Sequence, residues 1–170
     1  PVFFAAAGQT CIAGSRLLVQ RSVPDAFVER LAAFAAAARM GDPMGLETQV
    51  GPVTALPQYE KVLSYIAIAK AEEAQVVLGG DKATRAECGK GWFIEPTILT
   101  QVHNGMRIAQ EEVFGPVLSV IPFDDEADAL RIANDVRFGL AAAVWTSDIG
   151  RALRMSERLQ AGTVWVHTYR

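Results

Sequence analysis

The sequence predicts an α/β fold, a three-layer α/β/α domain on a mostly parallel sheet. Short apolar runs without helical spacing alternate with longer segments whose apolar residues recur every three to four positions. Serine and aspartate stand at the starts of several longer segments, where they can cap free backbone N–H groups. Hairpin turns are few, so strand–helix–strand connections favour parallel pairing with helices on both sheet faces.

In chain order, Leu17-Leu18-Val19-Gln20 reads as a buried strand. Ser22 offers an N-cap for the helix that follows, with Pro24 in its first turn and Asp25 near the positive end of its dipole. Phe27, Val28, Leu31, Phe34, Ala35 and Ala38 then recur at helical spacing, and Gly41 with Pro43 stops the helix. Residues 56–73 predict a second amphipathic helix that buries Tyr59, Val62, Leu63, Ile66 and Ala69. Val76-Val77-Leu78, bounded by Gly79-Gly80, is a short strand. Residues 82–91 are polar and read as a surface loop, which makes Cys88 an exposed or edge cysteine.

The second half alternates more cleanly. Val117–Phe123 is a strand, and Asp124 with Asp125 caps a helix that buries Ala127, Leu130 and Ala133. Residues 140–145 are a strand of small residues. Asp148 caps a helix through Ile149, Ala152, Leu153, Ser156 and Leu159, closed by Gly162. Residues 163–167 are the last strand. No internal repeat or low-complexity tract interrupts the pattern.

A chain of 170 residues, 51% hydrophobic, can bury one sizeable core, so one globular domain is expected. The net charge of −3 carries no basic surplus, which argues against a nucleic-acid partner. The longest apolar stretches, such as residues 139–145, are far too short to cross a bilayer, and no signal peptide is evident, so no membrane partner is expected. Two cysteines in unlike contexts do not make a disulfide framework, which points to a reducing, cytoplasmic setting. No Gly-rich phosphate loop is present, and no metal site is expected. The chain begins at Pro1 without an initiator Met and reaches its most distinctive motif almost at once, which points to a fragment.

That motif is Phe4-Ala5-Ala6-Ala7-Gly8-Gln9-Thr10-Cys11-Ile12-Ala13-Gly14-Ser15-Arg16. A Cys shortly after a Gly can sit at a tight turn or helix N-terminus, where oriented N–H groups favour the reactive thiolate and could stabilise an oxyanion. The local chemistry fits a buried, inert cysteine as well, the commoner fate of a free thiol. Other polar residues also have two readings. Glu112 beside Glu111 could be a solvated acidic pair, and Phe114 before Gly115-Pro116 a core aromatic at a turn. Gln58 and Lys61 fit the surface of an amphipathic helix. His103 lies in a polar turn, and His167 ends the last strand. A cysteine hydrolase or acyltransferase would need one of these histidines beside Cys11.

Taken together, the blocks resemble the aldehyde dehydrogenase superfamily. Gly8, Gln9, Cys11, Ala13 and Arg16 match its nucleophile motif. Gln110-Glu111-Glu112-Val113-Phe114-Gly115-Pro116-Val117 is similar to its other hallmark, and Gly162-Thr163-Val164-Trp165-Val166 resembles the strand near its substrate pocket. Gly51-Pro52-Val53 ahead of Gln58 and Lys61, Gly91-Trp92-Phe93 with Glu95-Pro96-Thr97, and Asn134 before Phe138-Gly139-Leu140-Ala141 match between them. The resemblance spans essentially the whole chain, in order and at compatible spacing.

The resemblance implies that Cys11 attacks an aldehyde carbonyl to give a thiohemiacetal. Hydride passes to NAD or NADP, and water releases a carboxylic acid from the resulting thioester. It assigns Glu112 to the hydroxyls of the nicotinamide ribose, Phe114 to the nicotinamide end, and Gln58 and Lys61 to the cofactor's ribose. The family often has Asn where this chain has His167, followed by a Thr-Tyr-like pair, so that pocket contact departs from the pattern. The family's general-base glutamate, its oxyanion asparagine and its nucleotide-binding domain lie upstream of the cysteine block. Its substrate loop and oligomerisation segments follow the last strand. Residues 1–170 are therefore expected to be a partial catalytic domain without the nucleotide-binding domain or C-terminal tail, inactive alone. The parent enzyme would be a homo-oligomer acting on a small-molecule aldehyde. A non-catalytic interaction or structural module with the same fold is the alternative.

Overall fold

The computed structural model describes residues 3–23 and 25–169; the predicted place of Pro24 lies outside them. Strands β1 (Arg16–Gln20), β2 (Gln75–Leu78), β3 (Thr97–Thr100) and β4 (Val117–Phe123) form one sheet in the order β1-β4-β3-β2. β4 pairs in parallel with β1 and β3, and β2 runs antiparallel at the edge. β5 (Ala141–Val144) and β6 (Thr163–Val166) form a separate parallel pair. The helices are α1 (Ala26–Ala36), α2 (Leu56–Ala71), α3 (Arg107–Gln110), α4 (Glu126–Asn134) and α5 (Ile149–Arg158).

Strict alternation along the strands builds the three layers. Leu18, Leu99, Val117 and Ile121 turn to one face, where Val62, Ile66 and Ala69 of α2, Ile108 and Ala109 of α3 and Ile132 of α4 cover them. Leu17, Val19, Ile98, Leu118 and Val120 turn to the other, against Ala35 and Ala38 with Phe3, Phe4, Met40 and Val50. Each large aliphatic side chain fully buried this way contributes about 1.5–3 kcal/mol.

Several elements depart from the sequence expectation. α1 begins at Ala26, so Ser22 lies ahead of it, and the residue at its N-cap, Asp25, makes no side-chain cap. It ends at Ala36, before Gly41, because the chain leaves the helix to form a bridge between Met40 and Val50. Phe27 and Phe34 are 43% and 56% exposed. At about 100° per residue they lie roughly a quarter turn from the face centred on Val28, Leu31 and Ala35 that meets the sheet. β3 and α3 carried no usable signal, because Ile98 and Leu99 stand alone between two threonines and α3 is a single turn of four residues. Cys88 is buried rather than exposed. Arg85 folds its loop inward by donating to Glu95 and to the Ala38 carbonyl, and burial pushes the Cys88 thiol up. In α4, Ala127 is exposed while Ala129, Leu130 and Ile132 turn inward. Asp125 and Asp148 do cap their helices, accepting from the backbone N–H of Asp128 and Arg151. Asp124 instead pairs with Arg21.

The β5–β6 pair is joined to the rest largely through polar groups. The Asn134 side chain donates to the Arg158 carbonyl at 3.0 Å and accepts from the Gln160 N–H at 2.9 Å. Arg154 donates to both carboxylate oxygens of Glu126 at 2.9 and 2.7 Å.

Candidate active site

Cys11 follows a 3-10 turn, Ala5–Gly8, in which Ala6, Ala7 and Gly8 take the left-handed φ values of 52°, 53° and 70°. Gly8 is required there for a second reason. A Cβ on it would lie 2.1 Å from the Gly115 carbonyl oxygen, and one on Gly115 would lie 2.5 Å from Val62 Cγ2. The cysteine block, the Glu112 block and α2 are thus stacked with no room for a methyl group between them. Gln9 ties the same turn to the approach to α2, its Oε1 accepting from Thr54 N–H at 3.2 Å and Thr54 Oγ1 at 2.9 Å. Beyond Cys11, Ala13 N–H donates to the Thr10 carbonyl at 2.8 Å, closing a tight turn. The thiol is free and exposed rather than buried.

The end of β6 reaches this turn from the other side. The Tyr169 hydroxyl donates to the Ile12 carbonyl, and its ring packs on Trp165 with centroids 4.9 Å apart. Arg16, the last residue of the cysteine block, acts structurally. Its guanidinium donates to Asn104 Oδ1 at 2.9 Å and to the Ile132 and Ala133 carbonyls, joining β1 to the end of α4. Burial pulls its pKa down, against the opposing influence of Asp135.

The two adjacent glutamates have separate fates. Glu111 has extended backbone, φ −116° and ψ 150°, and successive side chains of an extended chain alternate in direction. Arg107 donates to both Glu111 oxygens at 2.8 and 3.0 Å, and Tyr65 adds a hydroxyl donor. These bonds, Arg107's first, bring the Glu111 carboxyl down to about 2. Glu112 is exposed, and among the described residues its carboxylate has no hydrogen bond or ion pair. Phe114, half-buried, takes a left-handed φ of 56°, a conformation that costs about 1–3 kcal/mol and must be held from outside. Gln58 holds it: Nε2 donates to the carbonyls of Val113 and Phe114, both at 2.9 Å. Lys61 Nζ sits 5.8 Å from the Tyr65 ring centre.

The structure therefore gathers Gln58, Glu112 and Phe114 around one loop and links that loop to the Cys11 turn through Gly8, while Lys61, three residues beyond Gln58 on α2, meets the Tyr65 ring. Neither histidine joins them. His103 is exposed in the turn before α3, and the His167 ring contacts the Thr146 carbonyl and the edge of Trp145. Among the described residues no hydrogen bond connects either histidine to Cys11. A cleft of about 650 Å³, lined by Ala6, Gln9, Val53, Thr54 and Trp92 among others, opens beside the turn but reaches neither Cys11 nor Glu112. Tyr65, Arg107 and Tyr169 were not singled out from sequence. The spacing of Arg107 and Glu111, four apart, was the one available signal.

Among the described residues no group of three or more His, Cys, Asp or Glu could hold a metal, and no helix is long and apolar enough to cross a membrane.

Comparison with known proteins agrees along the full length of the chain. The pattern of the Aldehyde dehydrogenase family matches residues 2–170. An acetaldehyde dehydrogenase of Pseudomonas aeruginosa is 47% identical over 95% of this chain and 32% of its own. A betaine aldehyde dehydrogenase of Mesorhizobium japonicum is 46% identical over 98% of this chain and 34% of its own. Among solved structures, a betaine aldehyde dehydrogenase from Staphylococcus aureus in complex with NAD+ superposes with a TM-score of 0.94 at 42% identity, covering 97% of this chain and 33% of that one. HpcC from Thermus thermophilus gives 0.96 at 40% identity, covering 99% and 33%. The chain thus spans about a third of the length of these relatives. With matching order, fold and motif blocks, the chain belongs to the aldehyde dehydrogenase family.

Proposed function

We propose that these residues form part of the catalytic domain of an NAD(P)-dependent aldehyde dehydrogenase that oxidises an aldehyde to a carboxylic acid through an adduct on Cys11. The observation that carries this reading is the exposed Cys11 thiol, tied through Gly8 and Gly115 to the loop that bears the Glu112 carboxylate, which has no hydrogen-bond or ion-pair partner among the described residues. The solved Staphylococcus aureus relative is a complex with NAD+, which supports the choice of cofactor.

In this mechanism the Cys11 sulfur attacks the carbonyl carbon, and the new C–S bond leaves a thiohemiacetal oxyanion to which the Cys11 backbone N–H donates. Bound NAD(P)+ supplies the hydride acceptor. Cys11 then carries the acyl group as a thioester until water releases the acid and restores the thiol. Water activation falls, by the family resemblance, to a glutamate upstream of the cysteine block. The residues present fit the cofactor's ribose end. A free, exposed carboxylate at Glu112 suits a diol, since its two oxygens can each accept a charge-assisted hydrogen bond. Phe114 offers an apolar surface in the same loop and Gln58 of α2 holds that loop in place, while Lys61 is assigned to the ribose by the family resemblance. A cytoplasmic, homo-oligomeric enzyme acting on a small aldehyde, without nucleic-acid or membrane partners, belongs to the same reading. Two cysteines without a disulfide and the net charge of −3 support it.

The test is Cys11→Ala in the full-length protein. NADH formation from acetaldehyde or betaine aldehyde should fall by roughly 10⁴-fold or more, as when a covalent nucleophile is removed. Unchanged turnover overturns the reading.

A further inference from the structure

Resting on that reading of Glu112, we propose that one face of α2, formed by Gln58, Val62 and Tyr65, is the template that aims the Glu112 carboxylate at the cofactor. These three are positioning residues, and Glu111 with Arg107 completes the clamp.

Residues 58, 62 and 65 are spaced i, i+4, i+7 and so lie along one side of the helix. Each meets a different point of the loop at 111–116. Tyr65 donates to the Glu111 carboxylate at 2.5 Å. Gln58 donates to the carbonyls of Val113 and Phe114. Val62 packs on Gly115 so closely that a Cβ there would stand 2.5 Å away. The points of attachment bracket Glu112, whose carboxylate makes no hydrogen bond or ion pair among the described residues.

Three features separate a template from an ordinary helix surface. A carboxamide nitrogen has two hydrogens to donate, and Gln58 spends both on the loop, so its nitrogen has none left for a ribose. Phe114 stands at a left-handed φ that no glycine relieves, and Gln58 grips the two carbonyls on either side of that strain. Finally, the extended backbone at Glu111 converts its capture into a direction: with Glu111 drawn toward Tyr65 and Arg107, Glu112 must project the opposite way. Loss of the clamp would leave the Glu112 carboxylate chemically intact and less often aimed.

The experiment uses the full-length enzyme, with NAD+ affinity read by calorimetry and by KM at saturating acetaldehyde. Glu112→Gln should weaken NAD+ about tenfold or more, as expected for loss of a charged hydrogen-bond partner. Tyr65→Phe, which removes one hydroxyl, should raise KM for NAD+ about threefold to tenfold while kcat falls by less. Gln58→Met should do the same. The Tyr65→Phe/Glu112→Gln double variant should bind NAD+ no worse than Glu112→Gln alone, because a clamp has nothing to aim once the carboxylate is gone. Additive losses, or an unchanged KM in Tyr65→Phe, overturn the proposal and leave the role of Glu112 standing. Unchanged affinity in Glu112→Gln overturns the role of Glu112 itself. If Gln58→Met does not fold, Tyr65→Phe, which removes one oxygen from a half-buried ring, and Arg107→Lys at an exposed position carry the same comparison.

Discussion

Ile66 and Leu153 are both aliphatic residues in the middle of capped or proline-started helices, yet Ile66 is 2% exposed and Leu153 57%. Ile66 lies in α2 above a four-stranded sheet, where Leu18, Leu99 and Ile121 share its cluster. Leu153 lies in α5 beside a pair of four-residue strands, and α5 fully buries only Ala152. Trp145, Ile149 and Leu140 around it are more than half exposed too. Periodicity states which side of a helix is apolar. The width of the surface opposite decides how deeply that side is buried, and two short strands are too narrow.

The largest effect that could break this contrast is Ile66→Ala, which should cost about 2–5 kcal/mol in urea denaturation as a buried cavity opens. A loss below about 1 kcal/mol would place the principal core elsewhere. Next, Asp148→Ala removes the side-chain cap of α5 and should cost about 1 kcal/mol. Hydrogen exchange should show that loss in α5 and β6 and leave β4 protected, since the two regions meet mainly through polar groups. Leu153→Ala should change stability by less than about 0.5 kcal/mol. A larger cost would mean that α5 is buried in solution.

The smallest effect concerns acid. Glu111 sits at about 2 against an ordinary value of 4.5, so its bonds to Arg107 and Tyr65 favour the folded form above pH 4.5. That contribution fades as pH falls through 4.5 toward 2 and is gone below it. Carboxyl NMR titration should find the Glu111 midpoint near the bottom of that window and shifted upward in Tyr65→Phe.

Legibility followed the range of the interactions. β4 and α2 were readable because seven and sixteen residues are long enough to express a period, and Asp125 and Asp148 because a cap is local. β3 was not, because Ile98 and Leu99 between two threonines look like loop. The buried Thr97 hydroxyl is satisfied from outside the strand, accepting from Gly80 N–H and donating to the Glu95 carbonyl. Cys88 was misread because its burial depends on Arg85 reaching Ala38 and Glu95. The site divides similarly. Cys11 and Glu112 stand in recognisable blocks, whereas Tyr65 is set by a partner distant in sequence. The contact of Gly8 with Gly115 involves no side chain and so leaves no pattern to find.

That glycine contact lies just ahead of the β1–β4 ladder, where Arg16 pairs with Ser119 and Leu17 with Val120. Residues roughly a hundred positions apart are brought together there, and closing so long a loop is unfavourable until the ladder forms. The thiol and the Glu112 loop therefore inherit their register from the sheet. A slip of one residue between β1 and β4 would turn Leu17 and Val19 to the wrong face and draw Gly8 past Gly115. Errors in strand pairing and errors in site assembly are then a single event, and the hydrophobic layers proofread the alignment of the chemistry.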